Sequence, residues 1–352
     1  MTSKQNRMGR ELKRLMKKGI TIAGNILTDY IKTVSTYPRS GNLADIFDVQ
    51  QAVGGCVPNV LIDLARMQGG IRLHAVGRVG DDEAGRYVTD MMRSEGIDVS
   101  GVSVSAKKKT SFSDAMSAVD TGQRTFFHYR GANAEFSPAH IPQASLECDL
   151  FHIGYILLLD AMDARDPQYG TVMAHLLHDL QAQGVKTSID VVSGEAGMFQ
   201  EKVIPALRYC DYAIMNEFES GSVSGLSARS EDGTLIPQNI IKTMQFILRQ
   251  GVRRRVIVHC PEAGFCLDAQ EGLFIEPSLK LEKGYIKGSV GAGDAFCAGC
   301  LYAIYHDRDP KWMLRYAAAA AAANLSAPDS ISGMRPQQEL VDIMQTWETN
   351  RL

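Results

Sequence analysis

The chain has 352 residues, of which 45% are hydrophobic and 22% charged, and its formal net charge is −3. That is enough apolar material for a large core in one or two domains, and the near-neutral balance gives no global field for nucleic acid or an anionic membrane surface. No run approaches the ~20 apolar residues of a membrane span, and seven cysteines without a repeated spacing fit reduced thiols in a cytoplasmic protein better than a disulfide framework.

Met1 to Lys18 is basic and polar and lacks the apolar centre of a secretory signal. It reads as a solvated helical extension, with a transit or surface-binding helix as the alternative. From residue 19 onward strands and helices alternate. Ile20–Gly24 reads as a buried strand. Asn59–Met67 reads as a helix with Val60, Leu61, Leu64 and Met67 on its apolar face. A strand at Leu73–Val79 and a helix from Ala84 to Glu95, stopped by Gly96, come next. Further strands fall at Leu150–Ile153, Thr187–Val191, Tyr212–Met215 and Arg255–His259, with helices at Tyr169–Gln183 and Ile240–Gln250. Strands spaced by helices imply an α/β fold whose parallel sheet is covered on both faces.

Two regions break that rhythm, at about 30–52 and 99–131. The second holds two extended runs separated by Asp120-Thr-Gly-Gln, a hairpin signal. Both read as strands projecting from the main sheet to form a small β lid, which would exclude water from a reacting site; an ordinary antiparallel extension is the plainer reading. Ala317–Ala323 is the strongest local helix signal.

The densest chemical signal is Gly288-Ser-Val-Gly-Ala-Gly-Asp294, which runs directly into an apolar helical segment. Helix starts leave N–H groups unpaired and carry partial positive charge. The N–H groups of Gly291, Ala292 and Gly293 therefore suit an anion, and Asp294 beside them suits a proton acceptor for a substrate hydroxyl. No Gly-Lys-Ser/Thr follows, so this is not a Walker A loop. The plainer reading is a tight strand-to-helix turn with Asp294 serving the helix start. Cys297-Ala-Gly-Cys300 has redox spacing without a thioredoxin-like context, and no second Cys or His pair completes a zinc site.

Four further motifs accompany the loop: Gly54-Gly-Cys-Val-Pro-Asn59, Val76-Gly-Arg-Val-Gly-Asp-Asp-Glu-Ala-Gly85, Tyr129-Arg-Gly-Ala-Asn-Ala134 and Asn216-Glu-Phe-Glu219. In their order and spacing the chain resembles the ribokinase-like, PfkB-type carbohydrate kinases from about residue 19 to about residue 335. The resemblance implies a three-layer α/β/α domain over 19–352 with a central, mostly parallel sheet and a β lid. It implies transfer of the γ-phosphoryl group of ATP to a sugar hydroxyl with Mg²⁺. Asp294 corresponds to the family's catalytic base and Gly291, Ala292 and Gly293 to its anion hole. Asp29, Gly54, Gly55 and Asn59 correspond to sugar contacts. Asn216 and Glu219 organise nucleotide and Mg²⁺, Glu219 through water, and Gly264 and Asn324 join them as nucleotide contacts. Asp29 and Asn59 also have the plainer reading of local caps, and Glu219 that of a loop surface residue. Lid strands in this family pair between subunits, which implies a homodimer.

Departures from the pattern narrow the expectation. Gly288-Ser289 stands where the family has Asp-Thr, which leaves K⁺ activation open. His259-Cys-Pro-Glu-Ala-Gly264 keeps only the last glycine of the nucleotide motif. Gly154-Tyr155 replaces a sugar-contacting Glu, making ribose a poorer fit. Arg130 offers a fork for a carboxylate or phosphate on the substrate, or else a lid salt bridge. Alternatives to a sugar kinase are a nucleoside kinase stacking a base on Phe112, Phe126, Phe127 or Tyr129, and a silent sugar or nucleotide sensor. Gly77-Arg-Val-Gly80 lacks the Gly-x-Gly-x-x-Gly fingerprint of a dinucleotide oxidoreductase.

Overall fold

The computed structural model describes residues 18–121, 123–194 and 196–351; the basic segment before Lys18 lies outside them. The strands in chain order are β1 (Ile20–Gly24), β2 (Leu27–Val34), β3 (Ile46–Gly54), β4 (Leu73–Gly80), β5 (Asp98–Ser105), β6 (Ser111–Ala118), β7 (Arg124–Tyr129), β8 (Leu150–Ile156), β9 (Arg165–Asp166), β10 (Gly170–Thr171), β11 (Lys186–Val191), β12 (Tyr212–Asn216), β13 (Arg255–His259), β14 (Ala263–Asp268) and β15 (Gly272–Pro277). The main helices are α1 (Cys56–Arg66), α2 (Glu83–Ser94), α3 (Val172–Ala182), α4 (Glu217–Ser224), α5 (Pro237–Arg249), α6 (Ala292–Tyr305), α7 (Pro310–Leu325) and α8 (Gln337–Thr346).

The main sheet runs β15-β14-β13-β12-β11-β8-β1-β4-β5. It is parallel from β5 to β13, and β14 and β15 add antiparallel strands at one edge. The period-two alternation of a strand sends successive side chains to opposite faces. Ile20 and Ile22 of β1 enter a core formed with α1, α2, α6, α7 and α8, whereas Ala23 enters a second core with α3 and α5. Each face of the sheet therefore carries its own apolar layer, which explains why β1 is buried along its whole length.

The alanine run lies on the first face. A Cβ at Gly299 of α6 would stand 2.6 Å from the Ala317 Cα of α7. Two helices approach that closely only where both surfaces are small, and Cys297-Ala-Gly-Cys300 meets the same demand. All seven cysteines are free thiols.

A second, four-stranded sheet is ordered β3-β2-β6-β7. Residues 98–105, grouped with the lid on sequence, instead form the edge strand β5 of the main sheet. Two polar knots join the sheets. Asp82 caps α2 through the Gly85 N–H and accepts from both the N–H and the hydroxyl of Thr110, at the entry to β6. Asn133 accepts from the Ile26 N–H and donates to Asn25 Oδ1, at the exit from β1. The 76–85 and 129–134 motifs are thus the corners that orient the lid.

The 259–264 stretch is the β13–β14 hairpin, closed by the Cys260 N–H to the Ala263 carbonyl. Pro261 falls in its turn, where no ladder donor is needed. Replacing Asp82 by Ala removes the helix cap and the Thr110 contacts together. We expect a stability loss of about 1–3 kcal/mol, measured as a lower denaturant midpoint at unchanged slope.

Candidate active site

Parallel α/β sheets bind ligands beyond the carboxyl ends of their strands. A cavity opens there, bordered by Tyr155 near the end of β8, Asp190 of β11, Asn216 and Glu219 at β12–α4, His259 of β13, and Gly291, Gly293 and Asp294 at the start of α6. Gly291 turns the chain into α6 with φ at 79°. A Cβ on it would sit 2.6 Å from the Ser330 Cβ, so glycine is required by both conformation and space. The first N–H groups of α6 are left without intrahelical acceptors, at a helix start that borders the cavity.

Asp294 is buried, and its carboxylate is held from two sides. Asn59 Nδ2 donates to Oδ2 at 2.8 Å, and the Tyr155 hydroxyl lies 3.0 Å from both oxygens. Burial, and then the neighbouring charge of Asp190, push the Asp294 carboxyl up to about 6, against the lowering pull of those two donors. It is therefore ionised near neutral pH yet far more basic than an exposed aspartate. Asn59 is itself fixed, because its Oδ1 accepts the Ser330 hydroxyl at 2.9 Å. It lies inside α1 and does not cap it; the N-cap is Gly55, which makes no side-chain bond.

Asp29 faces the same centre from β2. Burial and then the Asp294 charge raise it to about 7, with the Ser113 hydroxyl working the other way. A Cβ on Gly54 would lie 2.2 Å from Asp29 Oδ2, and one on Gly55, at φ 90°, 2.5 Å from the Asn25 carbonyl oxygen. The two glycines are what let β3 return so close to Asp29.

Asn216 and Glu219 form a reciprocal cap on α4. Asn216 Oδ1 accepts from the N–H groups of Phe218 and Glu219, and Glu219 Oε2 accepts from the Asn216 N–H at 2.9 Å. Glu219 is not a surface residue: burial pushes it to about 8, with Asp190 adding repulsion. Its other oxygen has only a 3.4 Å contact with the Ser193 hydroxyl. One spare carboxylate oxygen at a cavity wall fits Mg²⁺ held through water, since this ion keeps most of its own waters.

Three expected contacts are placed differently. Gly264 lies in β14 beneath Phe296 and Leu314, so packing accounts for it. Asn324 is fully buried and donates to the Ser330 carbonyl at 2.6 Å, bracing the loop that supports Asn59 and Gly291. Arg130 donates to the Leu157 carbonyl at 2.8 Å and pairs with Asp160 at 2.7 Å. Of its two sequence readings, the geometry matches the salt bridge. Gly288 packs where a Cβ would come 2.6 Å from the Pro328 carbonyl oxygen, which explains why no side chain occupies that loop position.

Sequence reasoning missed three residues of the centre. Tyr155, noted only as a replacement, adopts φ 60° and brings its hydroxyl to Asp294; a left-handed non-glycine residue at a cavity wall is strain retained for position. Asp190 is the one acid of β11, at its carboxyl end, and that placement was the available signal. His259, pushed down to about 4 by burial and therefore neutral, packs against Phe296 with ring centroids 4.8 Å apart.

A family model described as "pfkB family carbohydrate kinase" matches residues 17–337. Fructokinase-1 of Oryza sativa subsp. japonica is 26% identical over 343 residues, covering 92% of this chain and 96% of that protein. The structure of Arabidopsis thaliana ribokinase complexed with ribose and ATP superposes with a TM-score of 0.76 at 19% identity, over 94% of this chain and 99% of that one. A putative ribokinase II from E. coli in complex with ATP and Mg²⁺ superposes with a TM-score of 0.72 at 19% identity, over 93% and 99%.

Tyr155→Phe removes a donor that favours ionised Asp294. The carboxyl should then titrate above about 6, by about one unit for a hydrogen bond to a charged group. Carboxyl carbon NMR of labelled aspartate measures the shift; an unmoved midpoint contradicts the assigned contact.

Proposed function

The chain belongs to the pfkB family of carbohydrate kinases, and from that membership we propose that it transfers the γ-phosphoryl group of ATP to a sugar hydroxyl at Asp294. The observation that carries this reading is a buried carboxylate at a helix N-terminus, held by Asn59 and Tyr155 and raised to about 6. A base of that strength is ionised at neutral pH and still accepts a proton as the hydroxyl attacks. The N–H groups of Gly291, Ala292 and Gly293 stabilise charge on the transferring group. Asp29 and Asn59 accept and donate hydrogen bonds to neighbouring hydroxyls and align the reacting one. Mg²⁺, held by Glu219 through water beside Asn216, would neutralise the nucleotide phosphates.

The lid pleat bears on the substrate. Asp29 pairs with Ser113, and Ser113 with His128, so these three share the face directed at Asp294. Phe112, Phe127 and Tyr129 alternate onto the opposite face, away from any base bound at Asp29, which leaves Phe126, opposite Ala115, as the one of the four on the Asp29 face. Arg130 is already paired with Asp160. Together these observations favour a neutral sugar over a nucleoside or a sugar acid.

The described part of the domain spans one kinase unit with its lid, and we assign the basic segment before it to a separate extension. Ile46, Phe47, Val49, Phe126 and Phe127 of the lid are each at least half exposed. Such apolar strands call for cover, and we propose that a second copy supplies it, giving a homodimer. No helix among the described residues is long and apolar enough to cross a membrane; we place the enzyme in the cytoplasm.

Asp294→Asn should lower turnover by at least about a hundredfold while sugar binding, measured by calorimetry, stays within a few-fold; near-normal turnover contradicts the mechanism. For the wild type, kcat/KM should fall about tenfold per pH unit below the Asp294 value of about 6, because protonation removes the base. An ADP-release screen over ketoses, aldoses, sugar acids and nucleosides, with and without potassium, tests the substrate class. Turnover confined to nucleosides would overturn the neutral-sugar reading.

A further inference from the structure

Behind Asp294 lies a cluster in which phosphoryl transfer gives His152 and Cys297 no task. His152 of β8, Asp190 of β11 and Cys297 of α6 are all buried, and one ligand atom from each lies within 4.8 Å of the others. His152 Nε2 is 3.4 Å from Asp190 Oδ2 and 3.8 Å from Cys297 Sγ. Zinc bonds of ~2.0–2.3 Å in tetrahedral array place neighbouring ligand atoms about 3.3–3.7 Å apart, so His152 Nε2 already stands at about that separation from both partners, and all three atoms lie within 4.8 Å of one another.

Two of the ligands are also aimed by a second contact. His152 Nδ1 is 3.0 Å from the Ser188 hydroxyl, which turns Nε2 toward the cluster. Asp190 Oδ1 accepts the Tyr155 N–H at 2.6 Å, leaving Oδ2 for the histidine side. Cys297 is held by its position one turn after Asp294 in α6. Asp190 and Cys297 both border the cavity, which supplies an entry path and a fourth position.

We infer that His152 Nε2, Asp190 Oδ2 and Cys297 Sγ form a binding site for one zinc-class divalent ion, with the fourth position open to the cavity. An imidazole–carboxylate–thiolate set selects Zn²⁺ or Co²⁺, whereas Mg²⁺ takes oxygen ligands. The site is thus chemically separate from the nucleotide's metal. On binding, the Cys297 thiol proton leaves to solvent and a metal–sulfur bond takes its place. The ion would tie β8, β11 and α6 together where they meet beneath Asp294.

Titration of the chelator-treated full-length chain with Co²⁺, followed by absorbance, tests this independently of any substrate. The wild type should saturate at one equivalent with a thiolate-to-cobalt charge-transfer band and the visible bands of tetrahedral cobalt. Zn²⁺ should bleach them, and excess Mg²⁺ should not. Cys297→Ser and Cys297→Ala should each lose the charge-transfer band; two thiol-free variants guard against one that misfolds, with circular dichroism confirming the fold. Ser188→Ala should keep the band but bind about 10–100-fold more weakly. Absence of the band in the wild type, its survival in both Cys297 variants, or its loss to Mg²⁺ would overturn the assignment. None of these results depends on kinase activity, so the site can fail while the phosphotransferase reading stands.

Discussion

The burial of one carboxylate organises this molecule. Asp294 sits at the start of α6, inside the crevice made by the strand ends, where an ionised acid is costly unless donors surround it. Asn59 and Tyr155 supply those donors, and each needs support of its own. Asn59 is held by Ser330, Ser330 by Asn324, and the loop carrying Ser330 lies against Gly291. Residues far apart in sequence thus form one chain of contacts whose product is the position and basicity of a single acid.

The acids around it create a tension that the described protein does not resolve alone. Asp29 and Glu219 are both pushed upward by burial and by neighbouring negative charge. In the proposed function, substrate hydroxyls at Asp29 and a cation at Glu219 would relieve that crowding. The lid acts through geometry. Its pleat presents Asp29, Ser113 and His128 inward and turns Phe112, Phe127 and Tyr129 outward, and Asp82 and Asn133 set its angle to the main sheet.

Much of the fold was legible because its elements are local and periodic. Helix α1, the buried strands and the glycine turn at 291 carry their own signals in spacing and composition. The β13–β14 hairpin and edge strand β5 were less legible. The first was masked by a motif comparison at 259–264, and the second by the absence of any helical period near residue 99. Among site residues, Asn216 and Glu219 were recognisable as a pair, but only coordinates reveal that they cap α4 and that Glu219 is buried. Arg130 had two open readings on sequence, and its partner Asp160, thirty residues on, could not be identified from spacing.

What the sequence determined by itself was therefore the alternating α/β order, the glycine-lined helix start and the acid placed at its end, because each depends on neighbours along the chain. Only the tertiary structure decided which groups surround that acid. Tyr155 reaches Asp294 across 139 positions, and the His152–Cys297 contact spans 145. Such pairings depend on strand order and helix docking, which bring together side chains whose spacing in sequence carries no periodic trace.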